Sequence, residues 1–215
     1  MTTSLKVEQN FNQLIRERRS VRHYDPSWKI SREEIQEILA DATLAPSSSN
    51  LQPWRFIVIQ EQELKDQLLP IAHQQQQVAD ASAVIAVLGD LEAYRNVEQI
   101  HELAVQAGAM TPEVKEGMVE RTLKMYPALG DAKLKEIALV DGGLVSMQLM
   151  LAAKARGYDT VPMGGYNEQK FREFFQIPER YATVMLIALG KAAAPGRVTY
   201  RLPLEQITYW NEFKG

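Results

Sequence analysis

Apolar residues gather in three nearly unbroken runs, Phe56 to Ile59, Ser82 to Leu88 and Thr183 to Leu189. Continuous apolar character over so short a length is the pattern of strands covered on both faces, and Tyr158 to Pro162 reads as a shorter strand. Helical spacing fills the intervals. Val7, Phe11, Leu14 and Ile15 share one helical face, so a first helix should run into Arg16-Glu17-Arg18-Arg19 and stop near Ser20. Ser31 and Glu34 have capping-box spacing and open a helix with Ile35, Ile38, Leu39 and Ala42 on one side, which Pro46 prevents from continuing. Another helix is expected around Glu61 to Leu69, and one starting near Asn167 should bury Phe171, Phe174 and Phe175.

From Leu91 to Gly130 the sequence is polar and helix-rich, with Thr111-Pro112-Glu113 as a helix start. It reads as an excursion from the core, in which Tyr94, Met118, Met125 and Tyr126 either line a substrate approach or hold the helices together. Asp131 opens the longest pattern. Between Ile137 and Ala153 only Asp141 is charged, so this helix is expected to be buried, ending at Arg156-Gly157 with a glycine cap. It is too short, and too interrupted by Gly142-Gly143, to read as a membrane span. A central helix or a subunit interface fits better, and Gly142, Gly143, Ser146, Ala152 and Ala153 would admit a second helix closely. Strands at irregular intervals, with helices between, imply a layered α+β fold rather than a doubly wound one. Tyr209, Trp210 and Phe213 make the tail too aromatic to be free, so it should dock on something.

Composition narrows the chemistry. The 215 residues carry a net charge of -3, which gives no electrostatic reason to expect nucleic acid or an anionic membrane as partner. With no signal-peptide core, the expected location is the cytoplasm. The absence of cysteine excludes disulfides and thiolate chemistry. His23, His73 and His101 lack metal-ligand spacing and read as surface or loop residues, so no metal site is expected.

Four polar groupings remain. Arg18-Arg19-Ser20-Val21-Arg22 places three guanidinium groups and a hydroxyl at a helix end, either a phosphate site or a solvated basic face. Ala45 to Trp54 sets three serines, Asn50 and Gln52 between prolines. It is either an ordinary turn or a rigid hydrogen-bonding surface for a flat, heteroatom-rich ligand. Gln74 to Gln77 is a run of amides, and Met163-Gly164-Gly165-Tyr166 is either a tight turn or a segment whose backbone angles and N–H groups serve a ligand.

In order, spacing and context, the arginine segment, the Pro46 to Trp54 loop, Met163-Gly164-Gly165 and Arg201 resemble the FMN-dependent nitroreductase family across essentially the whole chain. The resemblance implies an α+β fold with a central, mostly antiparallel sheet flanked by helices, in an intertwined homodimer with FMN sites at its interface. Residues 1–215 would form one FMN-binding domain, with 91–130 an excursion near the active site and about 201–215 a tail on the partner subunit. It assigns Arg18, Arg19 and Ser20 to the phosphate and ribityl chain, Arg22 to the pyrimidine edge and Arg201 to a second phosphate contact. Pro46, Ser47, Ser48 and Asn50 would reach the flavin from the other subunit, with Gln52 supporting them. Pro162, Met163, Gly164 and Gly165 would lie along the isoalloxazine. The glutamine run departs from members with Asn and Lys there, making Gln74 and Gln77 candidate flavin contacts, and Gly164 stands where some members carry glutamate.

By the same resemblance no side chain is the catalyst, because the flavin carries the chemistry and Arg22 stabilises charge on it. NADH or NADPH would reduce FMN and leave, and a small aromatic electron acceptor, a nitroaromatic, quinone or flavin, would take its place in a ping-pong cycle. The alternatives are a different flavin reaction on the same fold, such as dehalogenation, flavin fragmentation or dehydrogenation, or a flavin-binding sensor with negligible turnover.

Overall fold

The computed structural model describes residues 10–213, so Val7 of the expected first helical face and the last two tail residues lie outside the described residues. Four strands, β1 (Trp54–Ile59), β2 (Ala83–Asp90), β3 (Asp159–Met163) and β4 (Tyr181–Gly190), form one sheet in the order β1-β2-β4-β3. All three pairings are antiparallel. Each apolar run is a strand somewhat longer than its apolar stretch, and the irregular spacing does correspond to a layered α+β fold.

The two sheet faces explain why the runs are unbroken. Ala83, Ile85 and Val87 of β2, with Ile187 and Leu189 of β4, contribute to one core. The alternating Val84, Ala86, Leu88, Leu186 and Ala188 contribute to the other. The first face is covered by α2 (Arg32–Ala42) and α7 (Asp131–Ala155), and the second by α3 (Gln62–Ile71), α4 (Gln77–Asp80) and α8 (Glu168–Phe174). With apolar neighbours above and below, neither side of a central strand has use for a polar residue.

Local signals place the helices. Ser31 Oγ accepts from Glu34 N at 3.1 Å and the Glu34 carboxylate accepts from Ser31 N, completing the capping box of α2. At the other end of α7, Gly157 adopts φ +75°. Its N–H donates to Lys154 O and that of Tyr158 to Ala153 O, a glycine-terminated helix end. The first helix, α1 (Phe11–Glu17), ends before Arg18 rather than near Ser20.

The 25-residue α7 sits unusually close to the sheet. β4 carries a bulge between the Val87–Met185 and Leu88–Thr183 pairs, and the extra residue is Val184. A Cβ on Gly142 would come within 2.6 Å of Val184 Cγ2, so Gly142 makes room for the sheet rather than for a second helix. Gly143 faces open space. Nor is α7 buried all round: Leu139, Val140, Leu144 and Met147 are exposed, Val140 at 63%. By length and composition this helix could cross a membrane, so shortness is no objection to such a span. Its packed face, with Val145, Leu149 and Ala153 in the core, identifies it instead as the helix on which the sheet rests.

The excursion contains α5 (Val97–Gln106) and α6 (Pro112–Met125), with Thr111 capping α6. Tyr94 and Tyr126 stack within a small core of their own with Leu51, Val97 and Leu134. His101, on α5, is buried rather than at the surface, because helical spacing turns it inward beside Val97.

Two buried carboxylates fasten this architecture. Asp90, at the end of β2, is bound bidentately by Arg180 at 2.6 and 2.7 Å and also by Arg55 at 3.0 Å. Three strand ends thus meet on one carboxylate. Asp141 is the second: its oxygens accept from Ser48 N at 3.0 and 3.1 Å and from Ser48 Oγ at 3.1 Å, fixing the loop before β1 to the middle of α7.

Replacing Asp90 with Ala should cost roughly 1–3 kcal/mol, because the two guanidinium groups lose their shared acceptor, although each is more than one-third exposed and Arg180 keeps Glu92 at 3.4 Å. Urea denaturation at fixed protein concentration reads this as a lowered midpoint. For Asp141, desolvation raises the pKa above the ordinary carboxylate value, against the opposing effect of the Ser48 hydrogen bonds. The folded state therefore holds this proton more tightly than the unfolded chain, and its contribution turns unfavourable as pH rises from about 4 through the raised value. The Asp141→Asn variant should lack that component, so the stability difference between variant and parent should shift in favour of the variant as pH rises through this window.

Candidate functional site

Beyond α1 the backbone straightens at Arg18, and Ser20 joins Thr160 of β3 in a parallel bridge in which Val21 N donates to Thr160 O at 3.1 Å. Val21 is buried under this bridge and anchors the arginines on either side of it. After β4 the chain returns so closely that a Cβ on Gly196 would lie 2.5 Å from Arg19 Cβ, and this return brings Arg201 toward Arg18. Partial burial lowers the Arg18 pKa, and the charges of Arg19 and Arg201 lower it further. No ion pair among the described residues involves Arg18, Arg19, Arg22 or Arg201. Arg19 and Arg201 instead donate to local backbone and hydroxyl oxygens, such as Arg18 O and Thr199 Oγ1. Like charges held together without a carboxylate form a site that an anion would stabilise.

β3 leads from this cluster to Pro162, Met163, Gly164 and Gly165. Pro162 is half-buried and Met163 buried, while both glycines are exposed with open space where a side chain would be. Neither glycine has positive φ, so they serve here to leave the backbone uncovered rather than to reach special angles. The glutamines brace this segment from beneath. Gln75 Nε2 donates to Gly165 O at 2.7 Å, and Gln77 Nε2 donates to Gln75 Oε1 at 2.9 Å and approaches Met163 Sδ at 3.5 Å. Gln74 is exposed in a left-handed backbone conformation and makes no such contact. Sequence reading missed Gln75, whose role depends on the turn at His73 and Gln74, both with positive φ.

The Pro46 to Trp54 loop is held from several sides. Pro46 is exposed, and Ser49, Asn50 and Gln52 all have positive φ, near +50°. Such angles cost about 1 kcal/mol each in residues with a Cβ and persist only where the surroundings fix them. Ser47 Oγ accepts from Gln52 N, Gln52 Nε2 reaches Asn50 Oδ1, Tyr126 Oη donates to Ser49 Oγ at 2.8 Å, and Asp141 holds Ser48. The result is a rigid rim of hydroxyls and amides.

Within one chain the two halves do not meet. The loop feeds β1, whereas the arginines, the glycines and the braced glutamines lie along β3, and these strands are opposite edges of the sheet. Three interstrand spacings separate them by roughly 14 Å. The structure therefore joins Arg18, Arg19, Ser20, Arg22, Arg201, Pro162, Met163, Gly164, Gly165 and Gln77 along one edge, and keeps Pro46, Ser47, Ser48 and Asn50 together on the other. No group of His, Asp or Glu suited to a metal occurs among the described residues.

Comparison with known proteins gives a consistent picture. The profile of the Nitroreductase family matches residues 15–191. YdgI of Bacillus subtilis, provisionally named an NAD(P)H nitroreductase, is 48% identical over 94% of this chain and 97% of its own. The CLA biosynthesis enone reductase of Lactiplantibacillus plantarum is 35% identical over 82% of each chain. A crystal structure of a provisionally named nitroreductase in complex with FMN, from Exiguobacterium sibiricum, superposes with a TM-score of 0.91 at 47% identity. The match covers 94% of this chain and 98% of that one. The sheet order, the helix placement and these matches establish that the chain belongs to the nitroreductase family.

Proposed function

We propose that the protein is an NAD(P)H-dependent oxidoreductase that holds FMN in sites shared between two copies of the chain. The observation that carries this reading is the cluster of Arg18, Arg19 and Arg201, without carboxylate partners among the described residues, beside the uncovered backbone of Gly164-Gly165. Phosphate suits the first feature and a planar ring the second, so the residues present fit FMN. The relatives' names point the same way, one to NAD(P)H and one to a complex with FMN.

When bound, FMN supplies the capacity to accept a hydride and pass electrons on. Arg18, Arg19 and Arg201 bind the phosphate, and Ser20 adds a hydroxyl toward the ribityl chain. Arg22 places a fixed positive charge at the pyrimidine edge, where negative charge develops on reduction. Gln75 and Gln77 keep Met163 to Gly165 in place so that the backbone presents a constant surface. Pro46, Ser47, Ser48 and Asn50 of a second copy close the site from the opposite edge.

Exposed apolar surface supports the homodimer. Leu139, Val140, Leu144 and Met147 of α7 and Phe11 and Ile15 of α1 are uncovered, and Tyr200 and Trp210 of the tail are 91% and 82% exposed. A partner that buries α7 and receives the tail accounts for both. Nicotinamide and acceptor then use one exposed face in turn, with nitroaromatics, quinones or flavins as acceptors and the cytoplasm, with its reduced nicotinamide, as location. Reduction of an enone is the second reading, favoured by the 35% identity to the enone reductase.

In the Arg201→Ala variant, FMN affinity should fall roughly ten- to a hundredfold, the weight of one charge-assisted contact. Equilibrium titration by flavin fluorescence measures it, and unchanged affinity would remove Arg201 from the site. Placing a charge on α7 with Val140→Glu should shift the protein to monomer in analytical ultracentrifugation and lower its flavin content in parallel. Stopped-flow reduction of FMN-loaded protein by NADH and by NADPH, followed by reoxidation with nitroaromatic, quinone and enone acceptors, tests the reaction itself.

A further inference from the structure

Beneath the glutamines that brace Met163 to Gly165 lies a charged side chain with no part in the proposed flavin contacts. Lys65 of α3 is fully buried, on the same helical face as Leu68 and Ile71 of the second core. Its ammonium forms no ion pair among the described residues and donates to Ala79 O at 3.2 Å and to Ala81 O. Burial lowers its pKa and Lys29 lowers it further, while Asp66 and Asp80, each engaged by a glutamine amide, act in the opposite direction. Taking an ammonium out of water costs more than burying an apolar chain of the same length, so the compensation lies in what it binds.

What it binds is the end of α4. This helix is a single turn, too short to hold its own shape, and no side chain caps its start. Carbonyls at a helix end have no partner within the helix. Lys65 supplies donors to two carbonyls at this end, and Gln62 Nε2 adds a second donor to Ala79 O at 3.2 Å. α4 begins with Gln77, whose amide donates to Gln75 Oε1, and Gln75 in turn donates to Ala72 O at the end of α3 and to Gly165 O. A continuous path therefore runs from the ammonium, through one turn of helix and two amides, to the exposed glycines.

We infer that Lys65, with Gln62, is a positioning residue for the flavin site: by fixing the end of α4 it fixes Gln77 and Gln75, and through them the backbone from Met163 to Gly165 along which the ring lies. The inference rests on the proposed function for its ligand, although the clamp itself is defined without one. An apolar side chain at position 65 would fill the core but leave two carbonyls without their donor and α4 free to shift, so what the ammonium contributes is placement.

The test is Lys65→Met, which keeps the length of the side chain and removes its donors. In protein without FMN, hydrogen exchange followed by mass spectrometry should quicken about tenfold in peptides covering residues 72–82 and 163–167, with α2 and α7 unchanged. At saturating FMN the visible circular dichroism of the bound ring should weaken, a signal that a change in stability alone does not move, and FMN affinity should fall roughly tenfold. Gln75→Ala should produce a similar loss, and the double variant no more than either alone, because both substitutions break one path. Gln62→Ala, at an exposed position, should give a smaller change in the same two peptides, and it reports even where Lys65→Met prevents folding. Exchange that is unchanged there or quickened equally throughout the protein, additive losses of affinity in the double variant, or a Gln62→Ala protein identical to the parent overturns the inference. If both peptides loosen in variants of a protein that binds no FMN, the clamp stands and the proposed function fails.

Discussion

A sheet whose central strands are apolar on both faces must be covered twice, and the rest of this structure follows from how that is done. On one side short helices suffice. On the other, α7 must lie almost in contact with the sheet, which Gly142 permits at the point where the β4 bulge pushes Val184 outward. That closeness makes α7 the fixed reference of the molecule. It also leaves a second apolar stripe, with Leu139 and Val140, that the chain itself does not cover.

The polar features are arranged around the same helix and sheet. Asp141 interrupts the apolar surface of α7 at one position and uses it to hold Ser48, so the sheet's cover also positions the loop. At the opposite edge, β3 carries Ser20 and the arginines through a short parallel bridge and then exposes Gly164 and Gly165. The two edges are rigid for different reasons, one through a carboxylate clasp and strained dihedrals, the other through strand pairing and glutamine amides.

Much of this was legible in the sequence. Unbroken runs such as Val84 to Leu88 announce double coverage, Ser31 with Glu34 announces a helix start, and Gly157 a helix end, because each signal is local. What depended on distant partners was not legible. That Gly142 faces Val184 requires the bulge, that Gln75 rather than Gln74 reaches Gly165 requires the turn at His73, and that His101 is buried requires α6 to pack over α5. The arginine segment and the loop were each recognisable by residue type, but only the sheet order puts them on opposite edges.

The left-handed angles at Ser49, Asn50 and Gln52 have a further consequence. Glycine at any of the three would relax the backbone and could make the isolated chain more stable, yet it would also enlarge the set of shapes open to the loop. Selection for stability alone would therefore drift toward glycine here. Side chains at all three positions hold the segment to one outline at the expense of backbone strain, so its shape is set before anything binds to it.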